Sequence, residues 1–153
     1  EYTDPANDPY YGPIQYWNTS LVTNMNLAFT SKADFNEPLY WNTENVTTMN
    51  YMFKRATSFN QNIEDWNVSN VTSMIDMFTM DQSTPSIFNQ PLGKWDVANV
   101  NNMDGMFSGV NEFNQDISGW NVAKVTSLSL IHISEPTRRT PISYAVFCLK
   151  KSG

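Results

Sequence analysis

The apolar positions of this chain recur in register. Trp17, Trp41, Trp66, Trp95 and Trp120 are separated by 24, 25, 29 and 25 residues. Each is followed five residues later by Val22, Val46, Val71, Val100 or Val125. Eight residues after each Trp stands Met25, Met49, Met74 or Met103, with Leu128 in the fifth copy. Paired apolar positions follow at Met52-Phe53, Met77-Phe78 and Met106-Phe107, with Ala28-Phe29 in the first copy. Each unit closes on Phe35, Phe59, Phe88 or Phe113, followed by Asn and then Gln or Glu. A Leu or Ile comes next, at Leu39, Ile63, Leu92 and Ile117. Ile14 precedes Trp17 as Ile63 precedes Trp66, so the chain reads as a fragment that opens inside an earlier unit. A period of this size predicts stacked repeats, each too small to bury its own apolar face.

The spacing assigns elements to the unit. Met, Met and Phe at i, i+3 and i+4 fall on one helical face. This predicts a helix of about two turns over the T-x-M-x-x-M-F segment, held by packing because so short a helix is marginal alone. Thr23, Thr47, Thr72 and Thr126 stand where N-caps would, with Asn101 in the fourth copy. The F-N-Q-x-I segment fits the alternation of a short strand. The expected fold is therefore an α/β repeat solenoid, a leucine-rich-repeat-like stack with one short strand and one short helix per repeat. It should hold about five repeats over residues 1–127. The third unit carries extra residues between Phe78 and Phe88, which should bulge from one face without breaking the stack.

After Ser127 the register fails. The fifth unit reads Leu128-Ser129-Leu130-Ile131-His132 where M-x-x-M-F is due, and no further Trp follows. The last 26 residues hold four bases and one acid, against 14 acids and 5 bases before them. Residues 128–153 are expected to be a non-repeat tail, non-native or disordered. The string S-L-I-H-I-S-E-P-T-R-R resembles translated library-adapter sequence. A capping segment or a basic interaction tail are the competing readings.

Composition narrows the function. Net charge is −6 over 153 residues. A nucleic-acid partner is not expected, because phosphate binding needs a basic stripe. No apolar run is long enough to span a membrane, so any membrane attachment is expected through an anchor outside this sequence. Cys148 is the only cysteine and His132 the only histidine, and both lie in the tail. That leaves no basis for a triad, a zinc site or a disulfide framework. Asp65, Asp96, Asp104 and Asp116 are scattered over turn positions, where a solvated face explains them better than a glycosidase pair. No cofactor, no metal and no catalysis are expected.

Two sets of polar residues remain as candidates. Asn36, Asn60, Asn89 and Asn114 follow the closing Phe and read best as an internal ladder satisfying turn backbone. The next column, Glu37, Gln61, Gln90 and Gln115, lies on the opposite side of the expected strand and is the candidate binding surface. Asn18, Asn45, Asn67 and Asn70 each open a glycosylation sequon. The same triplets are also part of the repeat, and that reading is preferred. A Thr column at Thr23, Thr47, Thr72 and Thr126 suggests ice binding only weakly, since Asn101 breaks it and an N-cap role explains it.

W-N-V-S-N-V-T-S-M-I-D-M-F and F-N-Q-D-I-S-G-W-N-V, from Ile14 to about Ser127, resemble the BspA-like leucine-rich-repeat surface proteins. The likeness is closest to the branch with repeats of about 25 residues, known as bacterial surface protein or Mycoplasma-lipoprotein-type repeats. That resemblance implies an extracellular or cell-surface location and a role in adhesion, with a protein or cell-surface glycan as partner. It supplies no catalytic residues. A structural wall or surface spacer without a specific ligand is the alternative.

Overall fold

The computed structural model describes residues 12–81 and 83–127. The expected tail, 128–153, lies outside the described residues. Successive units stack, and the same position in each unit meets its counterpart in the next. Asn24, Thr48, Ser73, Asn102 and Ser127 form one column of parallel bridges. On one side of it, the Thr47 N–H donates to Thr23 O, Thr72 to Thr47 O, Asn101 to Thr72 O and Thr126 to Asn101 O. On the other side, the N–H groups of Met25, Met49, Met74 and Met103 donate to Thr48, Ser73, Asn102 and Ser127 of the following unit.

The fold is not an α/β solenoid. Among the described residues each bridge stands alone rather than within a strand, and no α-helix forms. Among the described residues the only helical element is a single 3-10 turn, Ile14–Tyr16. The reason is visible in the segment expected to be helical. Met25, Leu27, Phe29 and Ser31 send their N–H groups to Thr48, Asn50, Met52 and Lys54 of the next unit. The intervening Ala28, Thr30 and Lys32 donate three residues back, to Met25, Leu27 and Phe29. An α-helix needs every such N–H for its own carbonyl four residues earlier. Two isolated turns offer little to set against bonds shared along a whole stack.

The segment is thus a string of tight turns, and its backbone shows it. Left-handed φ values recur four residues apart, at Leu27 and Ser31, Tyr51 and Arg55, and Gly105 and Gly109, with Asp76 in the third unit. The Thr column does not cap helices either. Thr47, Thr72 and Thr126 donate through Oγ1 to Thr23 O, Thr47 O and Asn101 O, one unit earlier. The F-N-Q segment is not a strand. There the N–H of Asn60, Asn89 and Asn114 donates to the side-chain Oδ1 of Asn36, Asn60 and Asn89.

The core runs along the stack as parallel columns. Phe29, Phe53, Phe78 and Phe107 stack at 5.3, 5.6 and 5.7 Å between centroids. Phe35, Phe59, Phe88 and Phe113 form a second column at 6.0, 5.9 and 5.9 Å. Within a unit the two columns touch, as Phe53 and Phe59 do at 3.9 Å. Phe88 keeps its place in the second column, so the longer third unit leaves the register intact. Val46, Val71 and Val100, with Met49, Met52, Met74 and Met77, are fully buried beside them.

The tryptophans join core and backbone. Trp41 lies on Trp66 at 6.4 Å and Trp95 on Trp120 at 6.3 Å, with planes within 4° of parallel. Each indole N–H donates to the preceding unit: Trp41 to Ile14 O, Trp66 to Leu39 O, Trp95 to Ile63 O and Trp120 to Leu92 O. Ile14, Ile63 and Leu92 already accept the backbone N–H of the Trp in their own unit, so the indole adds a second donor from the next unit; at Leu39 O it is the donor that satisfies the carbonyl.

Candidate functional site

The Glu/Gln column is built into the stack. Gln61 Nε2 donates to both the backbone and the side-chain oxygen of Asn36, and Gln115 Nε2 does the same to Asn89. Gln90 Nε2 donates to Asn60 Oδ1. These three glutamines are half-buried, and Glu37 is exposed. The Nε2 groups of Gln61, Gln90 and Gln115 are thus committed to the Asn column.

The sequon asparagines divide into two structural classes. Asn18 and Asn67 follow a Trp and close a local turn, their Oδ1 accepting from Ser20 N–H and Ser69 N–H. Asn45 and Asn70 belong to an outer ladder, donating through Nδ2 to Ser20 O and Glu44 O of the previous unit. Asn99 continues it to Ser69 O. All four sequon residues are exposed. Among the described residues the Nδ2 of Asn18 and of Asn67 donates no hydrogen bond, so a glycan there would cost no ladder contact. One on Asn45 or Asn70 would compete with a bond between units. Asn70→Asp should destabilise by about 1–2 kcal/mol in urea melts at neutral pH, since a carboxylate would then face the Glu44 carbonyl. The same exchange at Asn67 should cost much less, because a carboxylate still accepts from Ser69. Equal losses would show that the outer ladder carries no stability.

Between the F-N-Q segment and the Trp, the chain turns a corner. The residue just before each Trp is Tyr16, Tyr40, Asp65, Lys94 and Gly119 in turn. Lys94 Nζ lies 3.0 Å from Asp65 Oδ1 and 3.1 Å from Glu64 Oε2. The hydrogen bond to Asp65, then that to Glu64, raises the Lys94 pKa above the ordinary lysine value. At the matching corner of the last unit, the Ser118 backbone N–H, then its hydroxyl, lowers the Asp116 carboxyl below the usual range. Tyr16 and Tyr40 occupy the first two corners, 70% and 69% exposed, with ring centroids 5.8 Å apart and planes 24° from parallel. Sequence reasoning centred on shared columns passed over this pair. Its signal was departure from the repeat: six residues separate Phe35 from Trp41, where seven separate Phe59 from Trp66.

Among the described residues no three His, Cys, Asp or Glu side chains gather as a metal ligand set. Every buried side-chain nitrogen or oxygen described has a partner.

The profile of a family described as "Mycoplasma protein of unknown function, DUF285" matches residues 6–84 and 82–135. The chain belongs to the DUF285 family. The two matched segments meet within the longer third unit, where residues 81–87 interrupt the spacing. No curated protein and no solved structure matches the chain.

Proposed function

We propose that this chain is a surface-displayed repeat module that binds another macromolecule, a protein or a cell-surface glycan, and performs no catalysis. The observation that carries this reading is the division of labour among side chains. Apolar residues fill continuous columns, and the recurring amides and hydroxyls are committed to bonds between units. The result is a rigid ribbon whose outer positions are held in register, suited to recognition by a pre-organised face. Membership in DUF285 and the resemblance to BspA-like surface repeats support display outside the cell, anchored by a segment beyond this sequence.

The test is binding of the fluorescently labelled full chain to intact cells and to isolated wall or matrix material. Saturable binding displaced by unlabelled chain is the expected result. Binding that rises linearly without displacement would leave the spacer reading in its place.

A further inference from the structure

We propose that the corner formed by Tyr16 and Tyr40 is a binding site for a neutral glycan, whose pyranose rings lie against the two phenol rings. This deepens the surface-module reading and rests on it.

The stack puts its aromatic residues inside. Phe53, Phe59, Phe78, Phe88 and Phe113 are essentially inaccessible, and Trp66, Trp95 and Trp120 are buried. Against that background two neighbouring tyrosines are about 70% exposed. Their centroids are 5.8 Å apart, yet each ring keeps most of its surface, so neither covers much of the other.

The backbone fixes where both side chains leave the stack. The Tyr16 N–H donates to Pro13 O within the 3-10 turn, and the Tyr40 N–H donates to Gln15 O across the stack. Each tyrosine immediately precedes an anchored indole: Trp17 Nε1 donates to Gly12 O and Trp41 Nε1 to Ile14 O. The second unit is one residue shorter here than the third, and the shortening sets Tyr40 beside Tyr16 instead of in a turn like Glu64-Asp65. A Tyr side chain has only two χ angles, so it loses little entropy on binding.

The surroundings specify a sugar. A pyranose has an apolar C–H face and a hydroxylated rim. An exposed Tyr ring complements the first, and the exposed amides two residues further along the chain from each Tyr can complement the second. Asn18 and Asn42 stand on the far side of each Trp, also exposed. Their Oδ1 atoms are held by Ser20 N–H and Glu44 N–H, which orients the amides. Asn18 Nδ2 donates no bond among the described residues, and Asn42 Nδ2 donates to Glu44 Oε1. Between residues 12 and 53 the only base is Lys32, against Asp34, Glu37 and Glu44, so an acidic glycan is disfavoured. A protein partner needs about 800 Å² on each side. Two tyrosines supply at most about 300–500 Å², the scale of a short oligosaccharide.

The experiment is calorimetric titration of the full chain with cellohexaose, chitohexaose and laminarihexaose, and with a heparin hexasaccharide as the acidic comparison. At least one neutral hexasaccharide should bind. Tyr16→Ala and Tyr40→Ala should each weaken it about tenfold or more, with unchanged melting, because both rings are outside the core. Tyr40→Phe should retain binding, since the ring face makes the contact. The inference is overturned if no neutral hexasaccharide binds, if binding survives both alanine substitutions, or if only the heparin hexasaccharide binds. The same variants are to be read in the cell-binding assay. Saturable cell binding with no neutral sugar bound would remove this site and leave the surface-module reading standing. No saturable cell binding by the unmodified chain would remove that broader reading instead.

Discussion

Trp95→Ala should lower the unfolding free energy by about 3–5 kcal/mol, a large share of the ~5–15 kcal/mol of an ordinary domain. The indole is 3% exposed and stacks on Trp120 at 6.3 Å. Its removal opens a cavity between two units and takes from the Ile63 carbonyl one of its two donors, leaving only the Trp66 backbone N–H. Trp95→Phe separates the two contributions. It retains an aromatic ring in the column and loses the N–H with part of the indole volume, so about 1–3 kcal/mol is expected. Urea melts of both variants followed by circular dichroism measure the difference. A loss below about 1 kcal/mol for Trp95→Ala would mean that the Trp column does not hold the stack together.

The second large effect is expected at a residue with no side chain. Gly109 has φ +75°, and a Cβ there would sit 2.3 Å from the Met80 carbonyl oxygen. Ser31 and Arg55 occupy the same place in the first two units at φ 59°, so side chains are tolerated at this conformation elsewhere. What distinguishes Gly109 is the backbone of the preceding unit pressed against it. Gly109→Ala should cost about 2–5 kcal/mol, combining the left-handed conformation with the forced separation of two units. Gly105→Ala is the control. Its Cβ would meet the side chain of Asp76 rather than backbone. That carboxylate can move, although it would strain its bonds to Lys54 and Thr79. Thermal melts should rank Gly109→Ala well below Gly105→Ala; the reverse order would show that the units do not approach as closely as described.

Both effects are properties of the junction between units, and there the sequence was only partly legible. The Val, Met and Phe columns were named from spacing, and nearly all are buried. Periodicity reports which side chains leave water, because every unit must hide the same positions. It does not report where the backbone N–H groups go. Three apolar residues at i, i+3 and i+4 share a side of a helix, and equally of a turn string with a four-residue repeat. Without a longer run the two look alike, so a helix was expected where none forms. The Thr column was misassigned as caps for the same reason. Its hydroxyls find a carbonyl one unit away, about 25 residues distant in sequence.

The candidate surface shows the same limit. Alternation placed Gln61, Gln90 and Gln115 beside the Asn column, and tertiary structure turned their amides onto it. Tyr16 and Tyr40 were visible as letters, yet their pairing depended on a segment one residue shorter, which only three dimensions turn into adjacency. By itself the sequence determined that this protein stacks and which residues form its core. Each of these follows from a repeated need to bury the same apolar positions. The tertiary structure alone decided which backbone groups bond within a unit and which across units. Those partners belong to the next coil, and no single unit contains them.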